Sequence, residues 1–377
     1  MCKKVLFYAF TPFEIISAIA IKGEYFANDM VDIIIDDSIQ NQVQLQANIN
    51  SAHVFNNAII AERSQYFGKY NNRIKHEFYR IKATLDSTFF AKYIDNLDSA
   101  YDVFVTTEID YFTDSIYSYL RKRNAKLDVI LMDEGYSSYT YYFREKVAPQ
   151  YLKNKVKNFF FYGIGRIYGR HFIAKEAKRI FLFRPELMCW KDNVYKIMPI
   201  EIHDTEKLIE EINAAFDYDN KLIKDYRNKY IYFEESFFWS NRNSNDLRII
   251  NKIADIVGKE NITIKLHPRN KINRFDNLGY TVQQSVGLPW ELFAINMNAG
   301  DDKVFITFSS GAVLNYKFLT DKSYKTVLLY KCMSNEYYKV DSLLMEWFEK
   351  FRKLYPDSLF IPENEDELCN VFKELNY

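Results

Sequence analysis

The sequence predicts an α/β protein made of two Rossmann-like domains facing a central cleft. Three observations predict it. Short β-branched and aromatic runs alternate with longer helical patterns, the alternation restarts midway after a polar helical stretch, and 377 residues exceed one small core but suit two α/β domains.

In chain order, Val5–Phe10, Val31–Ile35, Val103–Thr107 and Leu127–Met132 read as strands, and the helical stretches between them imply a parallel sheet. After the polar stretch around Asp204–Ala215, the runs Tyr230–Phe233, Ile262–Leu266, Val304–Phe308 and Thr326–Tyr330 repeat the pattern. The expected domains are residues 1–190 and 191–377, and the last helical pattern, Glu365–Leu375, could cross back to the first domain.

Composition narrows the function classes. Fifty Lys and Arg balance fifty Asp and Glu, so no global basic field recruits nucleic acid, and none is expected as a partner. A hydrophobic share of 48%, with 31 Phe and 30 Tyr, is enough for folded cores. Cys2, Cys189, Cys332 and Cys369 lie far apart without CxxC spacing, which suggests neither a zinc site nor a disulfide framework and fits a reducing, cytoplasmic compartment. Lys3-Lys4 precedes an apolar run that Pro12 and Glu14 interrupt, so it reads as a first strand and turn instead of a signal peptide. No uninterrupted apolar run approaches the ~18 residues of a spanning helix, so membrane contact is expected to be peripheral, on the inner face of the plasma membrane. The one strongly one-signed region, within residues 151–185, carries nine Lys and Arg from Lys153 to Arg184 against Glu176, interleaved with Phe159–Tyr162. It reads as a surface for anionic lipid or an acidic glycan, or as a solvated helix pair or dimer surface.

In open α/β sheets ligands sit beyond the carboxyl ends of the strands, and three such positions carry chemistry. Asp133-Glu134-Gly135 follows a strand, where Asp133 could act as a general base on a hydroxyl or serve as a turn acid. Lys265-Leu266-His267-Pro268-Arg269 delivers His267 at a strand end between cations, suited to stabilising or protonating a leaving phosphate, or to a plain backbone-bonded turn. Ser309-Ser310-Gly311 follows another strand and opens a helix, offering hydroxyls and amides to a phosphate, or simple capping. Glu291, in Pro289-Trp290-Glu291-Leu292, could accept bonds from ribose hydroxyls or serve as a first-turn helix acid. No GxxxxGK[ST], GxGxxG after the first strand, GxSxG or HExxH occurs, and no DxD has a strand-end setting, so no metal is implied.

Taken together, Asp133-Glu134-Gly135, His267-Pro268 and Ser309-Ser310 resemble, in order and separation, the D/E-D/E-G, HP and serine motifs of bacterial sialyltransferases. The opening strand with Thr11-Pro12, the Lys265–Arg269 run and Pro289–Leu292 most resemble the family 52 lipooligosaccharide and capsule sialyltransferases, with bacterial polysialyltransferases as more distant relatives. The resemblance implies a GT-B fold, an N-terminal acceptor domain and a C-terminal nucleotide-sugar domain. It implies inverting transfer of N-acetylneuraminic acid from CMP-Neu5Ac to a terminal, galactose-type hydroxyl of a surface glycan, with no metal or cofactor and with a homodimer as a reasonable assembly. Carried onto this chain, it makes Asp133 the base and His267 the acid or phosphate stabiliser. Ser309, Ser310 and Gly311 hold the phosphate, Glu291 the ribose, and Lys265 lies near the cytidine with Pro268 in the donor site. Glu234, Glu235 and Asp246 are the alternative bases. A CMP-Kdo or UDP-hexose transferase, and a non-catalytic glycan-binding scaffold, remain as rival readings.

Overall fold

The computed structural model describes residues 2–67, 73–95, 97, 100–107, 109–140, 163–190, 195–236, 245–267, 270, 272–283, 287–298, 302–332 and 340–376. They divide into two compact units, Met1–Asp217 and Tyr218–Tyr377.

The first unit holds strands β1 (Lys4–Ala9), β2 (Met30–Asp36), β3 (Asn57–Ala61), β4 (Val103–Thr106), β5 (Asp128–Leu131), β6 (Arg179–Leu182) and β7 (Lys196–Pro199). They pair in the order β3-β2-β1-β4-β5-β6-β7, every pair parallel. Val5 through Ala9 are wholly buried, because a central parallel strand is covered on both faces and so carries apolar side chains at every position. Thr11 caps the following helix, Pro12–Tyr25, by accepting from the Glu14 amide at 3.3 Å, with Pro12 filling the first helical position, where no amide is needed. Asp110 and Thr113 form a reciprocal capping box on the helix Tyr111–Arg123.

Three strands of this sheet lie outside the sequence expectation. β7 is a partly exposed edge strand ending in Pro199, and β3 and β6 are short and open on polar residues. β7 and the helix Thr205–Phe216, placed by the sequence reading in the second domain, build the first unit.

The second unit repeats the plan with β8 (Tyr230–Phe233), β9 (Ile262–Lys265), β10 (Thr281–Gln283), β11 (Val304–Thr307), β12 (Lys325–Leu328) and β13 (Leu359–Phe360), ordered β10-β9-β8-β11-β12-β13 and all parallel. The helix Asp246–Val257 buries Ile249, Ile250, Ile253, Ala254 and Val257, a helical-period stripe, against this sheet. The last helix, Glu365–Asn376, packs within the second unit. It buries Leu368, Phe372 and Leu375 in the core that contains Tyr230 and Ile249, and the Tyr230 hydroxyl donates to the Leu375 carbonyl at 3.2 Å. Chain order jumps between β1 and β4 in the first sheet and between β8 and β11 in the second, which marks the switch point of each.

Candidate active site

The second unit's switch point gathers most of the sequence-selected residues. Glu234 and Glu235 leave β8, Lys265 ends β9 with His267 two residues on, and Ser309-Ser310 follow β11. Three chain segments far apart in sequence thus end side by side because β9, β8 and β11 are adjacent strands. Pro268 and Arg269 lie outside the described residues.

Glu234 and Asp246 are not available as bases. Both side chains are fully buried, and Arg274 spans them. Its guanidinium donates to Glu234 Oε1 at 2.9 Å from two nitrogens, and to Asp246 Oδ1 and Oδ2 at 3.2 and 2.6 Å. Buried carboxylates persist as charges only when paired and hydrogen-bonded, and one planar fork satisfies both. The remaining Glu234 oxygen accepts the His267 amide at 3.0 Å, so this ion triad also anchors the turn that carries the imidazole. The His267 side chain is only partly buried.

Glu235 engages the serine turn. Its Oε1 accepts from Thr307 Oγ1 at 3.0 Å and from the Ser309 amide at 2.9 Å. Burial pushes its carboxyl above the ordinary range. The turn opens a single 3-10 turn, Gly311–Leu314, in place of the expected helix, and the Ser309 amide already serves a carboxylate. A phosphate held by that amide must displace Glu235, whereas the half-buried Ser310 lies at the surface.

Glu291 is buried on the first turn of the helix Trp290–Asn296, where its Oε1 accepts from Asn315 Nδ2 at 2.9 Å. Lys265 is the cation beside it. Burial lowers the Lys265 ammonium and raises the Glu291 carboxyl, and each partly offsets the other's shift.

In the first unit Asp133 sits beyond β5 with no exposed surface. It accepts the Gly135 amide at 2.7 Å, the Phe183 amide beyond β6 at 3.1 Å, and the Tyr139 hydroxyl. Gly135 has φ 100°, a conformation that favours glycine, as the tight turn requires. Asp133 thus ties two strand ends and the Gly135–Thr140 turn together. Burial raises its carboxyl to about 7.

Several residues here escaped the sequence reading. Asp36, fully buried at the end of β2, accepts from the Tyr8 hydroxyl and lies 3.9 Å from Arg63, which also pairs with Asp110 near the first switch point. In sequence, Asp36 and Asp37 are adjacent instead of spaced by one residue, so they form no DxD. Arg274 and Asn315 belong to no motif, and no local signal marks them. In the basic-aromatic stretch, residues 151–162 lie outside the described residues. Of the later cations, Arg170 is buried against Asp114 at 3.2 Å and Arg179 pairs with Asp128. Among the described residues no group of His, Cys, Asp or Glu could hold a metal ion, and no helix is long and apolar enough to cross a membrane.

No protein-family model matches the chain, and no curated protein matches it. Solved structures do. The chain is similar to the α/β-galactoside α-2,3-sialyltransferase of the luminous marine bacterium Photobacterium phosphoreum, with a TM-score of 0.51 and 12% identity over 96% of this chain and 99% of that one. It is similar to TcCGT1 in complex with UDP, with a TM-score of 0.51 and 8% identity over 100% and 90% of the two chains. The glycosyltransferase VinC in complex with dTDP gives a TM-score of 0.50 and 9% identity over 99% and 91%. At these identities the likeness shows the fold alone, two parallel-sheet α/β domains of the GT-B type.

Proposed function

We propose that the chain is a GT-B glycosyltransferase that moves N-acetylneuraminic acid from CMP-Neu5Ac to a terminal hydroxyl of a surface glycan, with inversion. The observation that carries this reading is the convergence of Lys265, His267, Glu291 and Ser309-Ser310 around one switch point, where α/β sheets bind nucleotides. The sialyl part rests on the motif resemblance.

In this reading the acceptor oxygen attacks the anomeric carbon as the bond to the phosphate oxygen breaks, and CMP leaves with the electron pair. His267 stabilises or protonates the departing phosphate, and Ser310 bonds it at the surface. Asp133 takes the proton of the attacking hydroxyl. Among Asp133, Glu234, Glu235 and Asp246 it combines a proton affinity near neutrality, matched to that task, with no cation paired to it among the described residues, whereas Arg274 holds Glu234 and Asp246. Contact with the acceptor then requires the Gly135–Thr140 turn to move.

The test is ligand-dependent stabilisation against CMP, UDP, GDP and dTDP, followed by transfer from CMP-Neu5Ac. A melting-temperature rise with CMP and measurable transfer or donor hydrolysis are expected. Stabilisation by UDP alone would favour a UDP-hexose transferase, transfer from CMP-Kdo in place of CMP-Neu5Ac would favour that rival, and no turnover of any donor would favour the scaffold.

Asp133→Asn separates the anchoring role from the chemical one. As a base, Asp133 gives turnover that rises with pH through about 7, and the variant should lose that limb together with at least about a hundredfold in kcat. Stability has the opposite sign. The folded carboxyl binds its proton more tightly than the ordinary value of 3.8, so its contribution is full below that value and declines as pH rises toward about 7. The variant should remove a decline of up to about 1.4 kcal/mol per pH unit, read by urea melts at pH 5, 6 and 7. Unchanged kcat beside an altered stability profile would leave Asp133 an anchor only.

The proposal extends to an anionic membrane surface. The helix Arg73–Leu85 exposes Phe78, Ile81 and Leu85 at helical spacing, with the Lys82 ammonium 4.6 Å from the Phe78 ring centre, a pattern that suits a headgroup layer. Co-sedimentation with anionic but not zwitterionic vesicles is expected, and binding to neither would remove this part.

A further inference from the structure

We infer that Asn315 is a positioning residue that orients the Glu291 carboxylate onto the ribose hydroxyls of a bound nucleotide. This rests on the nucleotide-sugar reading and names what the second unit selects, a ribonucleotide over its 2′-deoxy form.

Asn315 lies six residues after Ser309, between the Gly311–Leu314 turn and the helix Tyr316–Leu319, and is 5% exposed. Its side chain makes one hydrogen bond among the described residues, from Nδ2 to Glu291 Oε1 at 2.9 Å. An ionised carboxylate only accepts, so the amide nitrogen must be the atom that faces it. The amide oxygen is turned away, buried and without a hydrogen-bond partner among the described residues. An amide buried at that cost is spent on fixing one carboxylate.

Glu291 is itself 4% exposed, yet it has no arginine fork, and its donors are the Asn315 amide and its own backbone N–H. Lys265 supplies the compensating charge, but its ammonium makes no hydrogen bond among the described residues. The carboxylate therefore carries more lone pairs than the protein fills, about four sites against these two donors. The contrast with Glu234, whose oxygens take bonds from Arg274 and the His267 amide, is internal to the same sheet edge. A vicinal diol is the chemistry that fits such a group, because its two O–H donors can meet the two oxygens of one fixed carboxylate plane, as acidic residues do for ribose at α/β sheet edges. Asn315 sets that plane, since one bond to Oε1 removes the free rotation that would otherwise be lost on binding. Its position in the chain links the ribose side of the site to the serine turn on the phosphate side.

The experiment compares CMP with 2′-deoxy-CMP by calorimetry on the intact chain. The wild-type protein is expected to prefer CMP by about tenfold or more, the scale of a hydrogen bond to a charged group. Asn315→Ala should cut the preference to within about threefold while leaving 2′-deoxy-CMP affinity unchanged. In a Glu291→Gln background, adding Asn315→Ala should change the ratio no further, because the residue acts through Glu291. Asn315→Ser, which keeps a small donor, should retain part of the preference and guards against misfolding of the alanine variant, with melting temperatures measured on all. A preference that survives Asn315→Ala, or an equal loss for both nucleotides, overturns the inference. Binding of UMP but not CMP would sink the sialyl reading alone, and the UMP and 2′-deoxy-UMP pair would then decide the ribose contact. Binding of none of these nucleotides would overturn both.

Discussion

Arg274→Met is expected to destabilise the second unit by about 3–5 kcal/mol, the cost of leaving buried charge uncompensated. Methionine fills much of the same space, so lost packing is a small part of the effect. What disappears is the guanidinium that Glu234 and Asp246, both with side chains at 0% exposure, share through four hydrogen bonds. Arg274→Lys should recover less than half of the loss, because a point ammonium cannot reach both carboxylates in the geometry of a planar fork. A urea melt that shows a change below about 1 kcal/mol in Arg274→Met would refute the structural role. The same variant should also weaken nucleotide binding, since the Glu234 oxygen that accepts the His267 amide is held in place by this triad.

His267→Ala is expected to lower turnover by at least about a hundredfold while leaving the melting temperature within a few degrees of wild type. The fold is spared because the backbone fixes the turn. The His267 amide is bound by Glu234, and its carbonyl accepts the Asn270 amide at 2.9 Å, neither of which truncation removes. The ring is only partly buried, so no large cavity forms. His267→Gln distinguishes two modes of action. Recovery of most activity would mean that a hydrogen bond to the phosphate suffices, and continued loss would mean that the imidazole must carry or give up a proton. Near-wild-type turnover in His267→Ala would remove His267 from the chemistry.

The eight strands expected from sequence all appear, with ends shifted by one or two residues, and Tyr230–Phe233 matches β8. Their legibility has a physical cause, because strands buried on both faces are continuous apolar runs bounded by polar turns. β10 and β13, three and two residues long, are too short to carry a pattern, and β7 ends in proline at a partly exposed edge. The motifs at the ends of β5, β9 and β11 were legible for the same local reason, since a strand end and the residues after it are neighbours in sequence. The packing partner of Glu365–Asn376 and the domain limit were not legible, for the opposite cause. A helix pattern states which face is apolar but not which sheet covers it.

The sequence by itself thus determined two parallel α/β units and the residues that stand at their strand ends. Only the tertiary structure decided what those residues can do. Asp133 is closed off by an amide fifty positions away, Glu234 and Asp246 are claimed by Arg274, and Glu291 is met by Asn315 twenty-four positions on. The reason is that a carboxylate's chemistry depends on its desolvation and on the donors around it. In this chain those donors arrive from adjacent strands and distant loops, a proximity that no local period in the sequence encodes.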